Sequence, residues 1–350
     1  MSPVRICLQP RTPGSRREPL SGAEVAAAAG RVLGASVEVT SAAELPHGSS
    51  NTTLRLELAD GAAVVLRAAP RRERQLRSER DWLRAEHAAG PWLAVLSTLV
   101  PKVLGADFTH QVLDRDYLLV EVAPGVPAPD RMPGYDRGRW PGLFGQLGAL
   151  SARVHAVTGE RWGPLSGPLE DRWSDALHGS LRDSVADLEE LGSPSGGAAR
   201  LADVVDRNRH RLDRLRFPRL LHGDLWTANV MLDPDAAEPR IVGVLDAERA
   251  WWGDPLADWA LYRADERAVG AESDAFWVGY GGRPSGGEVE WRRLLYRCRH
   301  LVAVQVEAGR CEQWDRADAA HGELSGILRS LASPTVSTST GAVTAASRGV

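Results

Sequence analysis

The chain predicts an α+β fold in two lobes, β-rich at the N-terminus and mainly helical beyond it. Three observations carry that reading. Short β-like runs with a tight hairpin turn crowd the first 122 residues. Apolar residues at helical spacing fill most of the remainder. A polar segment between two apolar runs, residues 222–229, interrupts the helices, and a second carboxylate, Asp246, follows a short apolar strand. At 350 residues the chain is long enough to bury two such cores.

Each element has its own signal. Residues 1–20 are polar, with Pro and Arg, and read as a loose arm. Ser21-Gly22-Ala23-Glu24 has capping-box form and starts an Ala/Val helix to about Leu33. β-Like runs follow at 35–45, 51–59 and 62–68, and Asp60-Gly61 is a hairpin turn between the last two. Residues 71–87 predict a charged helix with Leu76, Trp82 and Leu83 as its apolar positions. Strands at 102–107 and 116–122 complete an N-lobe over 21–122. The C-lobe, 123–332, predicts helices at 140–157, 171–191, 197–214, 254–267, 286–309 and 311–332. Residues 333–350 are rich in Ser, Thr, Ala and Gly without an apolar period, and read as a disordered tail.

Composition excludes several classes. A net charge of −4 gives no footprint for nucleic acid or an anionic membrane. No apolar run approaches the roughly 18–20 residues of a membrane span, and the first ten residues lack the apolar core of a signal peptide. Cys7, Cys298 and Cys311 have no paired spacing, so reduced thiols and a cytoplasmic location are expected. Lys102 is the only lysine among 42 basic residues, which reads as codon usage in a GC-rich genome.

The chemistry lies in His222-Gly223-Asp224-Leu225-Trp226-Thr227-Ala228-Asn229 and, after the run Ile241-Val242-Gly243-Val244-Leu245, in Asp246. Phosphoryl transfer from a nucleotide needs one carboxylate at the attacking hydroxyl, and oxygen donors for the metal on the phosphates. Asp224 is the candidate base. Asn229 and Asp246 are the candidate Mg²⁺ ligands, because Mg²⁺ prefers hard oxygen donors. Asn229 has the alternative of capping its turn.

This segment, with Gly253-Asp254-Pro255 and Asp258 downstream, resembles the catalytic core of the aminoglycoside phosphotransferase family, which includes choline-kinase-like and fructosamine-kinase-like enzymes. The resemblance implies a protein-kinase-like fold and use of ATP, with GTP possible, together with Mg²⁺. It implies a phosphate-covering loop at Gly48, Ser49, Ser50 and Asn51, and an adenine-binding hinge around Glu121 and Ala123. It also places Arg67 where the family usually has Lys, with Glu79 on the following helix as its expected partner. His222, Asp254 and Asp258 are expected to be structural, the last two on one helix face. Glu248 stays open between pocket acid, supporting partner and solvated residue.

The implied activity is O-phosphorylation of a small-molecule hydroxyl, first an aminoglycoside or nucleoside-type antibiotic, in resistance or biosynthesis. A sugar-amine (fructosamine) acceptor is the closest rival, and a pseudokinase-like binding module is the alternative from another class. Trp251, Trp252, Trp259, Tyr262, Asp265 and Glu266 are candidate acceptor-wall residues. Oligomeric state is not specified by the sequence.

Overall fold

Alternation of buried and outward residues makes the N-terminal segments into one sheet. Its strands are β1 (Arg5–Cys7), β2 (Val39–Glu44), β3 (Thr52–Leu58), β4 (Ala63–Ala68), β5 (Val103–Asp107) and β6 (Tyr117–Glu121), in the spatial order β1-β2-β3-β4-β6-β5. β1 runs parallel to β2, and the remaining pairs are antiparallel. The structure, a computed structural model, describes residues 4–332 apart from 12, 13, 47, 49 and 267. The tail expected at 333–350 lies outside the described residues.

Two helices cover the two faces of this sheet. Helix α1 (Gly22–Leu33) begins at the Ser21/Glu24 capping box and packs Val25, Ala28 and Ala29 against Leu54, Leu56 and Leu66. Helix α2 (Trp82–Leu93) places Leu83 on the opposite face, against Leu118 and Val120.

Two sequence expectations change here. The described residues of the expected arm, 4–11 and 14–20, are laid onto the sheet rather than loose. Buried Glu44 accepts from Arg11 at 2.5 Å and from the Gln9 backbone at 3.0 Å, and Glu18 accepts from Arg71 at 2.6 Å and Arg115 at 3.3 Å. Charged partners that distant in sequence capture the arm's polar groups, which local composition does not encode. The helix expected at 71–87 is broken as well. Short 3₁₀ turns occupy Arg72–Arg74 and Arg77–Glu79, Asp81 takes a left-handed conformation (φ 63°), and α2 starts only at Trp82. Asp tolerates that backbone region better than most residues.

The C-lobe contains β7 (Val126–Pro127), α3 (Ala128–Arg131), α4 (Trp140–Ala156), β8 (Gly163–Pro164), α5 (Trp173–Glu190), α6 (Gly196–Arg207) and α7 (Arg209–Leu212). Then come β9 (Arg219–Leu221), β10 (Val230–Leu232), β11 (Ile241–Val244) and β12 (Trp251–Gly253), and the helices α8 (Trp259–Glu266), α9 (Ala271–Tyr280), α10 (Gly287–Arg310) and α11 (Trp314–Ala332). Two small sheets, β11-β10-β7 and β8-β12-β9, hold the polar segment between the helices. Helix α9 was not expected. It packs against α4, where a Cβ on Gly148 would meet the Phe276 carbonyl at 2.0 Å. Among the described residues no helix is long and apolar enough to cross a membrane.

Candidate active site

The loop after β9 is fixed from beneath. Buried Asp258 accepts from the His222 backbone N–H at 3.0 Å and lies 2.9 Å from His155 Nε2, while His155 Nδ1 is 2.9 Å from the Tyr280 hydroxyl. Burial outweighs Asp258 and Asp246 and pushes the His222 pKa down. The uncharged ring's Nδ1 accepts from the Asp224 backbone N–H at 3.4 Å. Gly223 has φ +82°, and a Cβ there would stand 2.0 Å from the Arg249 carbonyl oxygen, so only glycine fits this crossing. Asn229 closes the loop: its side-chain N–H donates to the Asp224 carbonyl at 2.8 Å, and its own carbonyl accepts from Leu245 N–H at 2.9 Å. That use of the amide nitrogen leaves the amide oxygen as the group available to a cation.

Asp224 is partly buried in this loop. Burial raises its pKa to about 6 against the opposing pull of Arg249, so the carboxyl is mostly ionised at neutral pH. Asp246 sits just past β11 with φ 67°. Burial favours its protonated form, but Arg67 outweighs that and holds its pKa below the usual carboxylate range.

Arg67, near the end of β4, is the centre of a cluster joining the lobes. Its guanidinium bonds Asp246 at 2.6 Å and Glu248 at 3.0 Å, and also Glu86. Burial lowers and three carboxylates raise the Arg67 pKa; the carboxylates win. The Glu86, Asp246 and Glu248 oxygens lie within 4.8 Å of one another, a hard-oxygen set that fits a divalent cation. Burial pushes Glu248 up to about 8, with Asp246 adding to it. Asn51 donates to Glu248 at 2.6 Å.

The partner expected for Arg67 was Glu79, and that is corrected. Glu79 lies in the 3₁₀ turn before α2, and its carboxylate meets Arg310 at 2.8 Å and Arg16 at 3.4 Å. Glu86, one turn into the true helix, takes Arg67 instead. Asp81 was the available signal, since it moves the helix start past Glu79. Asp254 and Asp258 also do not share a helix face. Pro255 opens a 3₁₀ turn over Pro255–Ala257 that Asp254 caps, and α8 begins after Asp258. Asp254 instead accepts from Arg292 at 2.5 Å and the Tyr296 hydroxyl at 2.7 Å.

The other expected site residues are dispersed around the cleft. Ser50 and Asn51 are buried just before β3, Gly48 is exposed with φ +97°, and Ser49 lies outside the described residues. Glu121 ends β6, its backbone N–H bonding the Lys102 carbonyl at 3.0 Å. Ala123 lies next to Gly243 of β11, and Gly125 (φ +89°) passes so close to β10 that a Cβ would be 2.4 Å from the Leu232 carbonyl.

Beside the loop is a cavity of about 580 Å³. Residues of α5, α10 and the 77–85 segment line it, together with Gly223, Glu248 and Arg249. Trp251 and Trp259 line it, whereas Tyr262, Asp265 and Glu266 line a second cavity of about 210 Å³. Trp252 lines neither and packs edge-on against Trp92 at 5.1 Å.

A β-sheet lobe over a helical lobe, with a carboxylate loop and a second carboxylate at their junction, defines a phosphotransferase acting on small-molecule hydroxyl groups. The chain belongs to the phosphotransferase enzyme family, APH, whose sequence profile matches residues 41–295. Solved structures agree on the fold. A thermostable mutant of aminoglycoside phosphotransferase APH(4)-Ia in its apo form is 20% identical, with a TM-score of 0.61 over 84% of this chain and 96% of that one. A ternary complex of a thermostable mutant of the same enzyme with ADP and hygromycin B gives 19% identity and a TM-score of 0.58, over 85% and 96%. A candidate fructosamine-3-kinase from Thermobifida fusca YX-ER1 gives 22% identity and a TM-score of 0.57, over 87% and 98%. No curated protein matches in sequence.

Proposed function

We propose that this chain transfers the γ-phosphoryl group of ATP to a hydroxyl of a small molecule, with Mg²⁺. The convergence of Asp224, Asn229 and Asp246 on one loop-and-strand unit, with Arg67 reaching Asp246 from the other lobe, carries the reading. Asp224 orients the acceptor hydroxyl and takes its proton as the new P–O bond forms. The bond to the β-phosphate oxygen breaks, and ADP leaves with the electron pair. Asn229 and Asp246 would hold Mg²⁺, which offsets phosphate charge when bound. Arg67 is the phosphate-contacting cation. Gly48 to Asn51 cover the phosphates, and the strand end at Glu121 and Ala123 holds the base. GTP is the second donor to test.

In this reading residues 21–122 hold the nucleotide, residues 123–332 carry catalysis, and the 580 Å³ cavity receives the acceptor. Its size suits one small ligand. An aminoglycoside or nucleoside-type antibiotic is the first acceptor class, in resistance or biosynthesis. The likeness to a candidate fructosamine-3-kinase supports a sugar amine as the second. Free Cys7, Cys298 and Cys311 and the nucleotide donor fit a cytoplasmic location.

The test is a screen of antibiotics and aminosugars with ATP and Mg²⁺, read by mass spectrometry for a phosphorylated product. Full activity after complete chelation of divalent ions would remove the metal role. Nucleotide binding with no turnover on any acceptor would favour a binding module instead.

A further inference from the structure

Helix α2 carries Glu86, which takes Arg67, and Arg67 in turn bonds Asp246. Whatever fixes α2 therefore fixes the cluster. The segment just before this helix is anchored in the other lobe. Asp187, on α5, is 0% exposed, and its two carboxylate oxygens accept the backbone N–H groups of Arg77 and Ser78 at 2.8 and 2.9 Å. The Ser78 carbonyl accepts from the Trp82 indole N–H at 2.9 Å, which ties the anchored turn to the first residue of α2. Trp82 and Glu86 are four residues apart, on one helix face. The Arg249 guanidinium lies over the Trp82 ring, 4.8 Å from its centroid.

A plain packing role does not account for Asp187. A carboxylate removed from water is costly unless its oxygens are hydrogen-bonded. Here each oxygen is taken by a backbone donor about a hundred positions earlier in the chain, and the Arg77 guanidinium stands 4.0 Å away. Two bonds from one carboxylate to successive N–H groups fix both the place and the orientation of the Arg77–Glu79 turn. Glu79 joins the same turn to Arg310 of α10, but only through its side chain. The backbone itself is held by Asp187.

We propose that Asp187 is a positioning residue for the nucleotide site. It holds the Arg77–Glu79 turn, the turn sets α2, and Glu86 on α2 sets the Arg67 guanidinium. The inference rests on the phosphotransferase reading, in which Arg67 meets the phosphates. It makes α5, which lines the 580 Å³ cavity, a support of the nucleotide site as well.

The test titrates the full chain with AMP-PNP and Mg²⁺ by calorimetry. Asp187→Asn keeps the side-chain volume but turns one acceptor oxygen into a donor, so one of the two bonds is lost. It should weaken AMP-PNP binding about three- to tenfold, as should Glu86→Gln, since each misplaces one charge-assisted contact. The double variant should bind within about twofold of the weaker single variant, because both act through Arg67. A merely structural Asp187 would give losses that multiply. Arg77→Pro and Arg77→Ala keep the test decisive if Asp187→Asn does not fold. Both remove the side chain, but only proline removes the backbone donor, at a first helical position that suits it. Arg77→Pro should bind AMP-PNP several-fold more weakly than Arg77→Ala. Wild-type affinity in Asp187→Asn or in Glu86→Gln, multiplied losses in the double variant, or equal affinity in the two Arg77 variants overturns the proposal. Failure of the wild type to bind AMP-PNP would instead overturn the phosphotransferase reading.

Discussion

Arginine is held in two different ways on the two sides of the catalytic loop. On one side Arg67 is shared by Glu86, Asp246 and Glu248, so one cation answers three carboxylates. On the other, Arg249 and Arg299 stack on Trp82 and Trp251 without an ion pair among the described residues. The first side is short of positive charge and suits a cation. On the second, Asp224, Glu307 and Glu248 favour the Arg249 charge from a distance, without pairing to it. Asp224 lies at the boundary, where a hydroxyl could be brought to a phosphoryl group. Ion pairs alone are weak evidence for stability; three carboxylates gathered on one arginine are better evidence for a ligand.

The largest expected effect tests the boundary itself. Asp224→Asn should lower kcat by about 10²–10⁴-fold while nucleotide binding persists. Near wild-type kcat with the true acceptor would show that Asp224 does not handle the proton.

Next comes the carboxylate-rich side. Arg67→Ala leaves three clustered carboxylates unneutralised, so stability should fall by about 3 kcal/mol. Added Mg²⁺ should restore more of the thermal midpoint in this variant than in the wild type. KM for ATP should rise or kcat fall. Arg67→Lys should recover much of the kinetic loss if charge alone matters, and little if the bidentate fork matters. If Mg²⁺ stabilises variant and wild type equally, the cluster is not a cation site.

A matched pair separates Glu86 from Glu79. Glu86→Gln should weaken ATP use, because its carboxylate positions Arg67. Glu79→Gln should leave ATP kinetics nearly unchanged and cost about 1–2 kcal/mol of stability, since it loosens buried Arg310. Chemical denaturation with steady-state kinetics on both variants decides. The reverse pattern would restore Glu79 as the partner.

The smallest effect is in pH. The base must be ionised, so activity should fall as pH drops through the Asp224 pKa. Burial places that pKa at about 6, and a cation bound nearby would move the limb lower. A pH–rate profile flat down to about pH 4 would argue against this carboxylate as the base.

The sequence by itself determined what is local. The Asp224–Asn229 spacing, the strand leading to Asp246, the Asp60-Gly61 hairpin and the Ser21/Glu24 cap all lie within a few residues of what they specify, so turn chemistry and periodicity reveal them. It also placed Arg67 near the end of β4. Tertiary structure decided what depends on distant partners. Arg67 meets Asp246 across 179 positions, and Asn51 meets Glu248 across 197. The choice of Glu86 over Glu79 turned on where α2 begins, which Asp81 sets through its backbone conformation and not through apolar period. The arm's burial and the two stacked arginines were likewise hidden, because a charge's neighbours come from folding and leave no periodic trace in the chain.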